Sequence, residues 1–161
     1  MSESLHRLKE VHVRLSVAFG YKRPMFNQAR EAALRAGKPL LNAGCGSAYT
    51  ELSDVNLDIV PTQAHNFVRG DIQNLSMFGK KQFGAVYASH VVEHVEDLDA
   101  ALAELHRVAD NVFIITPFPL WPWAWLWPSH NWVLWEGKRI AGTPYNLVKR
   151  ITRKMTADKI D

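Results

Sequence analysis

Three short stretches carry residue types and spacings that could do chemistry: "LLNAGCGSAY" (40–49), "DVNLDI" (54–59) and "HNFVRGDI" (65–72). Each is a largely apolar run leading into glycine or aspartate. Gly44 and Gly46 remove side chains from the first turn, so backbone can come close to a ligand, with Cys45 as the small residue between them. Asp58 ends the second run, where a carboxylate can accept both hydrogen bonds of a ribose diol. Asp71 ends the third and can accept from an exocyclic amine while a neighbouring amide meets a ring nitrogen. Together the two aspartates suit adenosine, although each alone reads as a turn residue. A dinucleotide fingerprint G-x-G-x-x-G needs a small residue at position 49, which here is Tyr49, and no Lys followed by Ser or Thr completes a phosphate loop. A nicotinamide oxidoreductase is therefore disfavoured. The ligand must need close backbone and little anion binding.

These residues need strands to hold them. The runs 39–43, 54–59, 65–72, 83–90 and 111–117 read as five short strands. A helix opens at Asp97 and uses Leu98, Ala101, Leu102, Leu105 and Val108, and another starts near Pro24, buries Phe26, Ala29, Ala33 and Ala36, and stops at Gly37. Before it, Leu5, Leu8, Val11, Leu15 and Ala18 stand at helical spacing and predict an amphipathic N-terminal helix. Strands alternating with helices mean an α/β, three-layer, Rossmann-like fold with a mostly parallel, doubly wound sheet, whose ligands bind beyond the strands' carboxyl ends. Between Gly46 and Val55 only residues 47–54 remain, too few for the usual crossover helix. The 161 residues, 47% apolar and 22% charged, fit one domain: helices over 1–37, a cofactor-binding core over 38–119, and a Trp-rich segment with a basic helix over 120–161.

In this order and spacing, "LLNAGCG", "VNLDIV", "GDI" and "VYASHVVEHVEDLDAALAELHRV" resemble the class I S-adenosylmethionine-dependent methyltransferases. The similarity runs over residues 39–119 and is nearest to type 11-like members with a short "LN-x-GCG" first motif. It implies S-adenosylmethionine as cofactor and a binding set of Asn42, Gly44, Cys45, Gly46, Asp58, Ile59, Asp71, Ile72 and Ser89. The glycines bracket the methionine part, Asp58 holds the ribose, Asp71 with Ile72 reads the adenine, and Ser89 with His90 lines the methyl-transfer face. In this family a terminal strand hairpin usually completes the sheet, and no two clear strands follow residue 117, so the sheet is expected to be curtailed. Methyl transfer from a sulfonium is an in-line displacement helped mainly by alignment and desolvation. If the acceptor must lose a proton, His90 and His130 are the candidate catalytic bases. His94 reads as a hydrogen-bonded helix-start residue, Glu93 and Glu96 as solvated or capping charges, and Glu104 with Arg107 as a surface ion pair. No metal ligands are assigned. The competing reading is a non-catalytic relative that binds a partner.

All six tryptophans fall within "PFPLWPWAWLWPSHNWVLW", residues 117–135. Four prolines deny it a continuous membrane-spanning helix. It is expected to cover the cofactor loops as a substrate wall, or to contact a protein partner, a second copy or a membrane surface peripherally. The acceptor is a small molecule or a biopolymer group. Beyond it, Leu147, Val148, Ile151 and Met155 predict a docked amphipathic helix. The chain is basic over 1–50, acidic over 51–110 and basic again to its end, without the Arg and aromatic interleaving that would signal nucleic acid. One cysteine excludes internal disulfides, and no leader is recognised, so a cytoplasmic location is expected.

Overall fold

A computed structural model describes residues 11–16, 22–135, 138–144 and 146–148. Its central sheet joins β1 (Val11–Ser16), β2 (Leu40–Ala43), β3 (Val55–Asp58), β4 (Phe67–Arg69), β5 (Phe83–Ser89) and β6 (Ala109–Pro117) in the order β1-β6-β5-β2-β3-β4. Every pairing within it is parallel. Strand order reverses between β5 and β2, and that is where a doubly wound sheet opens its ligand crevice.

Both faces of the sheet are covered, which is why the β5 sequence FGAVYAS is apolar almost throughout. On one face, Met25, Phe26, Ala29 and Ala33 of α1 (Lys22–Ala36) pack with Leu40, Ala85, Tyr87, Phe113 and Ile115. On the other, Leu98, Ala101, Leu105 and Val108 of α2 (Leu98–Val108) pack with Leu41, Val86, Val112 and Ile114. The expected α2 is present, capped by Asp97, whose side chain accepts from Ala100 N at 3.0 Å. α1 ends before Gly37 at φ +62°, as its sequence predicts, but Ala36 is exposed and Met25 and Ala32 are buried in its place.

α1 sits unusually near the sheet at Gly84. A Cβ there would lie 2.8 Å from Ala33 Cα and 2.9 Å from Ala36 Cβ. Gly84→Ala must therefore push the helix outward, and we expect a loss of about 1–3 kcal/mol in urea unfolding, the usual cost of overpacking. An unchanged midpoint would show that α1 can shift freely.

The short crossover from β2 to β3 contains only a 3₁₀ turn, Thr50–Leu52, in agreement with the sequence. A helix there would satisfy its own carbonyls, and two buried asparagines act for it. Asn56 Nδ2 donates to Thr50 O at 3.0 Å and to His65 O at 2.9 Å. Asn42 Nδ2 donates to Ala48 O at 2.8 Å and to Asn56 Oδ1 at 3.2 Å.

Several expectations are corrected. Residues 11–16 form β1, paired from Val11↔Val112 to Ser16↔Pro117, and not part of a helix. Within this stretch the helical spacing of Val11 and Leu15 competes with the alternation Val11, Val13, Leu15, and the open edge of β6 selects the strand. Leu5, Leu8 and Ala18 lie outside the described residues. Two strands do follow β6: β7 (Trp132–Trp135) and β8 (Lys138–Gly142) form an antiparallel hairpin. It stands as a separate two-stranded sheet, so the main sheet is indeed curtailed. Near the end, Leu147 and Val148 are exposed while Asn146 is buried, contrary to an apolar docked face, and Ile151 and Met155 lie outside the described residues. Glu104 and Arg107 do more than pair on a surface. Arg107 donates to Phe78 O at 2.9 Å and Leu75 O at 2.7 Å, and Glu104 accepts from Leu75 N, so the pair clasps the loop after β4 onto α2. That Arg107 contact holds the Glu104 carboxyl below its usual range.

Candidate functional site

A cavity of about 510 Å³ opens beyond the carboxyl ends of β2, β3 and β5. Of the residues expected from the sequence, Gly44, Asp58, Ile59, Asp71, Ile72 and His90 line it. Leu57, Gln73, Val91 and His94 join them. Its volume falls in the range of small-molecule sites.

The Gly-x-Gly turn builds this cavity in a way its sequence does not announce. Gly44 has φ +67°, and a Cβ on it would stand 2.6 Å from Val91 Cβ, so the missing side chain admits the β5 loop. The amides of Gly44 and Cys45 both donate to Leu57 O, at 2.8 and 3.0 Å. Gly46, at φ +49°, has nothing near its absent Cβ, and its amide donates to Asp58 Oδ2 at 2.9 Å. The turn is thus strapped to the end of β3.

Asp58 is fixed from both sides, because Oδ1 accepts from Val60 N at 3.0 Å while Oδ2 takes Gly46 N. A carboxylate oxygen carries two lone pairs, so each retains one toward solvent or ligand. A half-buried carboxylate held by two amides is pre-organised for a diol. Asp71 is held by a single neighbour: Oδ1 accepts from Gln73 N and Oδ2 from Gln73 Nε2, both at 2.9 Å. Gln73 in turn accepts from Asp97 N at 2.7 Å, which couples the loop after β4 to the start of α2. Ile72 is buried beneath.

Asn42, Cys45, Gly46 and Ser89 lie outside the cavity wall. Asn42 is the buried fastener already described. Cys45 is buried, and burial first, then the Asp58 charge, push its thiol above the usual range. Ser89 alternates with Tyr87, whose ring meets Phe26 of α1 edge-on at 5.2 Å. Strand alternation therefore places Ser89 on the α1 face.

His90 directly follows β5 in a left-handed conformation, φ +55°, with its amide on Ile115 O at 2.9 Å. It lines the main cavity and also a second, of about 310 Å³, walled by Pro117, Trp121, Trp123, Trp127 and His130. The Trp-rich segment thus walls a cavity beside the larger one, with α3 (Pro122–Leu126) at its centre. No helix among the described residues is long and apolar enough to cross a membrane. His130 is buried, which pushes its imidazole below the usual range, and its Nδ1 donates to Ala124 O at 3.2 Å.

Two residues read as incidental from the sequence belong to this region. Glu93 is fully buried, not solvated, and its Oε1 accepts from His90 Nδ1 at 3.1 Å. His94 lines the cavity and donates from Nδ1 to Ser129 O at 3.0 Å. Both stand in the 3₁₀ turn Val92–His94, which Asn131 stitches to the far segment: its amide donates to Glu93 O at 2.7 Å and its side chain to His94 O at 2.7 Å. The valines around Glu93 in "HVVEHV" were the available signal of burial. The approach of His130, 37 residues from Glu93, to within 4.8 Å left none.

No curated protein sequence matches the chain. Among solved structures it is similar to a SAM-dependent methyltransferase of Thermotoga maritima described as a possible histamine N-methyltransferase, with TM-score 0.40, 18% identity, and 55% of this chain and 51% of that one covered. It is also similar to a methyltransferase of Haloferax volcanii solved in complex with the Trm112 methyltransferase activator, with TM-score 0.36, 18% identity, and 56% and 52% coverage. The matched part spans about half the length of each. Residues 25–111, over half of the chain and all of the sheet from β2 into β6, match the sequence profile described as "Methyltransferase domain", and the chain belongs to that family.

Proposed function

We propose that this chain binds S-adenosylmethionine in the larger cavity and transfers its methyl group to an acceptor seated between the tryptophans. The observation that carries this reading is that His90 lines both cavities. The cofactor supplies an activated methyl on a sulfonium, and the protein's part is alignment and exclusion of water. Asp58 would hold the ribose diol with the lone pair left on each oxygen, and Asp71 and Ile72 would meet the adenine. The turn at Gly44, packed on Val91, would close the methionine end. His90, whose Nδ1–H is given to Glu93, is positioned to face the acceptor's nucleophilic atom. The indole walls would favour an acceptor with an apolar body, either a small molecule or an exposed biopolymer group. We place the chain with the short "LN-x-GCG" members on its Asn42 and abbreviated crossover. The alternative of a partner-binding module is not favoured.

S-adenosylhomocysteine tests the reading directly. Calorimetry is expected to show binding, and at 100 times the dissociation constant the ligand should raise folding stability by about 2.7 kcal/mol. Tryptophan fluorescence should respond when an acceptor enters the second cavity. A flat titration with an unchanged melting curve at millimolar ligand would overturn the enzyme reading and leave the fold intact.

A further inference from the structure

The buried carboxylate of Glu93 poses a problem that the methyl-transfer reading does not solve. Its Oε1 is met by His90, but its Oε2 is buried without a hydrogen-bond partner. Burying a charge is costly unless it is paired or held by a cation. Ligand atoms of Glu93, His94 and His130 all lie within 4.8 Å of one another. The two imidazoles stand with ring centroids 4.8 Å apart.

The second observation is how those rings are held. Nδ1 of His94 faces Ser129 O, and Nδ1 of His130 faces Ala124 O. A carbonyl only accepts, so both Nδ1 atoms carry a hydrogen, and in the neutral ring the lone pair is then on Nε2, free for a metal. Donation of one ring N–H to a backbone carbonyl is the usual way a metal-binding histidine is oriented. We propose that Glu93, His94 and His130 bind one first-row transition dication of the manganese-to-zinc series, with His90 bracing Glu93 from outside the coordination shell.

Two imidazole nitrogens with one carboxylate oxygen suit such an ion better than Mg²⁺ or Ca²⁺, which take mostly oxygen ligands. Three protein ligands leave a position open. His94 lines the larger cavity and His130 the Trp-walled one, so the ion would stand between them. On the methyl-transfer reading, on which this last step rests, the open position would take an oxygen of the acceptor and lower its pKa.

Protein stripped with a chelator and titrated with Zn²⁺ by calorimetry should bind one equivalent, with no response to Mg²⁺. His130→Ala and His94→Ala should each weaken zinc roughly 100-fold or more, since even a residue outside the coordination shell can cost 10–100-fold. Glu93→Gln keeps the shape and removes the charge. It should abolish tight zinc binding while melting no lower than the parent, which separates a ligand from a merely structural residue. His65→Ala, away from the cluster, should bind zinc as the parent does. Co²⁺ in place of zinc should give visible absorption bands that vanish in His130→Ala. A flat zinc titration of the parent, or zinc binding unchanged in Glu93→Gln and His130→Ala, would overturn the site. Because S-adenosylhomocysteine binding is measured separately, failure of the metal and failure of the cofactor reading are distinguishable.

Discussion

Gly44→Ala is expected to destabilise the protein by about 3 kcal/mol and to abolish measurable S-adenosylhomocysteine binding. Two costs add at this residue. A side chain in the left-handed region costs roughly 1–2 kcal/mol, and overpacking adds about 1–3 kcal/mol. The obstruction is Val91, whose Cβ and Cγ2 both lie 2.6 Å from the new methyl, so the β5 loop must move and take a wall of the cavity with it. Gly46→Ala is the internal control, because its φ of +49° carries the backbone cost alone and nothing lies within 4 Å of the added atom. Urea unfolding and calorimetry on the two variants should therefore differ, with Gly46→Ala losing only about 1–2 kcal/mol. Equal losses would mean that Val91 yields without effort.

Asp58→Ala should weaken S-adenosylhomocysteine by about 1.5–3 kcal/mol for each charged hydrogen bond to the ribose that is removed. From the sequence alone its stability would be expected to change little, as for an open loop. The structure revises that expectation, because the carboxylate also accepts from Gly46 N and Val60 N. A further loss of about 1 kcal/mol in unfolding free energy is expected from those two partly exposed bonds. Asp58→Asn retains an acceptor and should recover part of the stability but less of the binding. A variant that binds ligand as well as the parent would place the ribose elsewhere.

What was legible in the sequence was whatever a local pattern can carry. The apolar strands, the Asp97 cap and the Gly37 stop are written in neighbouring residues, and so is the shortness of the β2–β3 crossover. The aspartates at strand ends were legible because a parallel sheet brings such ends together whatever the details. What failed depended on partners distant in the chain. β1 is a strand because β6 offers it an edge, and its own residues fit a helix nearly as well. Glu93 looked solvated because acids usually are, and its burial comes from Asn131 and β7, at the end of the Trp-rich segment. Gly44 lines the cavity, but that its missing side chain admits Val91, 47 residues on, was not legible. Asn42 gives its amide to Ala48 and to Asn56, a pairing across two strands that no local pattern announces.

The straps between the Gly-x-Gly turn and β3 also set how the molecule opens. Gly44 and Cys45 both donate to Leu57, and Gly46 donates to Asp58, so three successive amides of one loop are protected by the end of another strand. They are expected to exchange together with the end of that strand. β3 is bound in turn to β4 through Asn56↔Phe67 to Asp58↔Arg69. The turn, β3 and β4 are therefore expected to open as one cooperative unit in hydrogen exchange. The Gly-x-Gly turn is expected to open only as often as its sheet edge does.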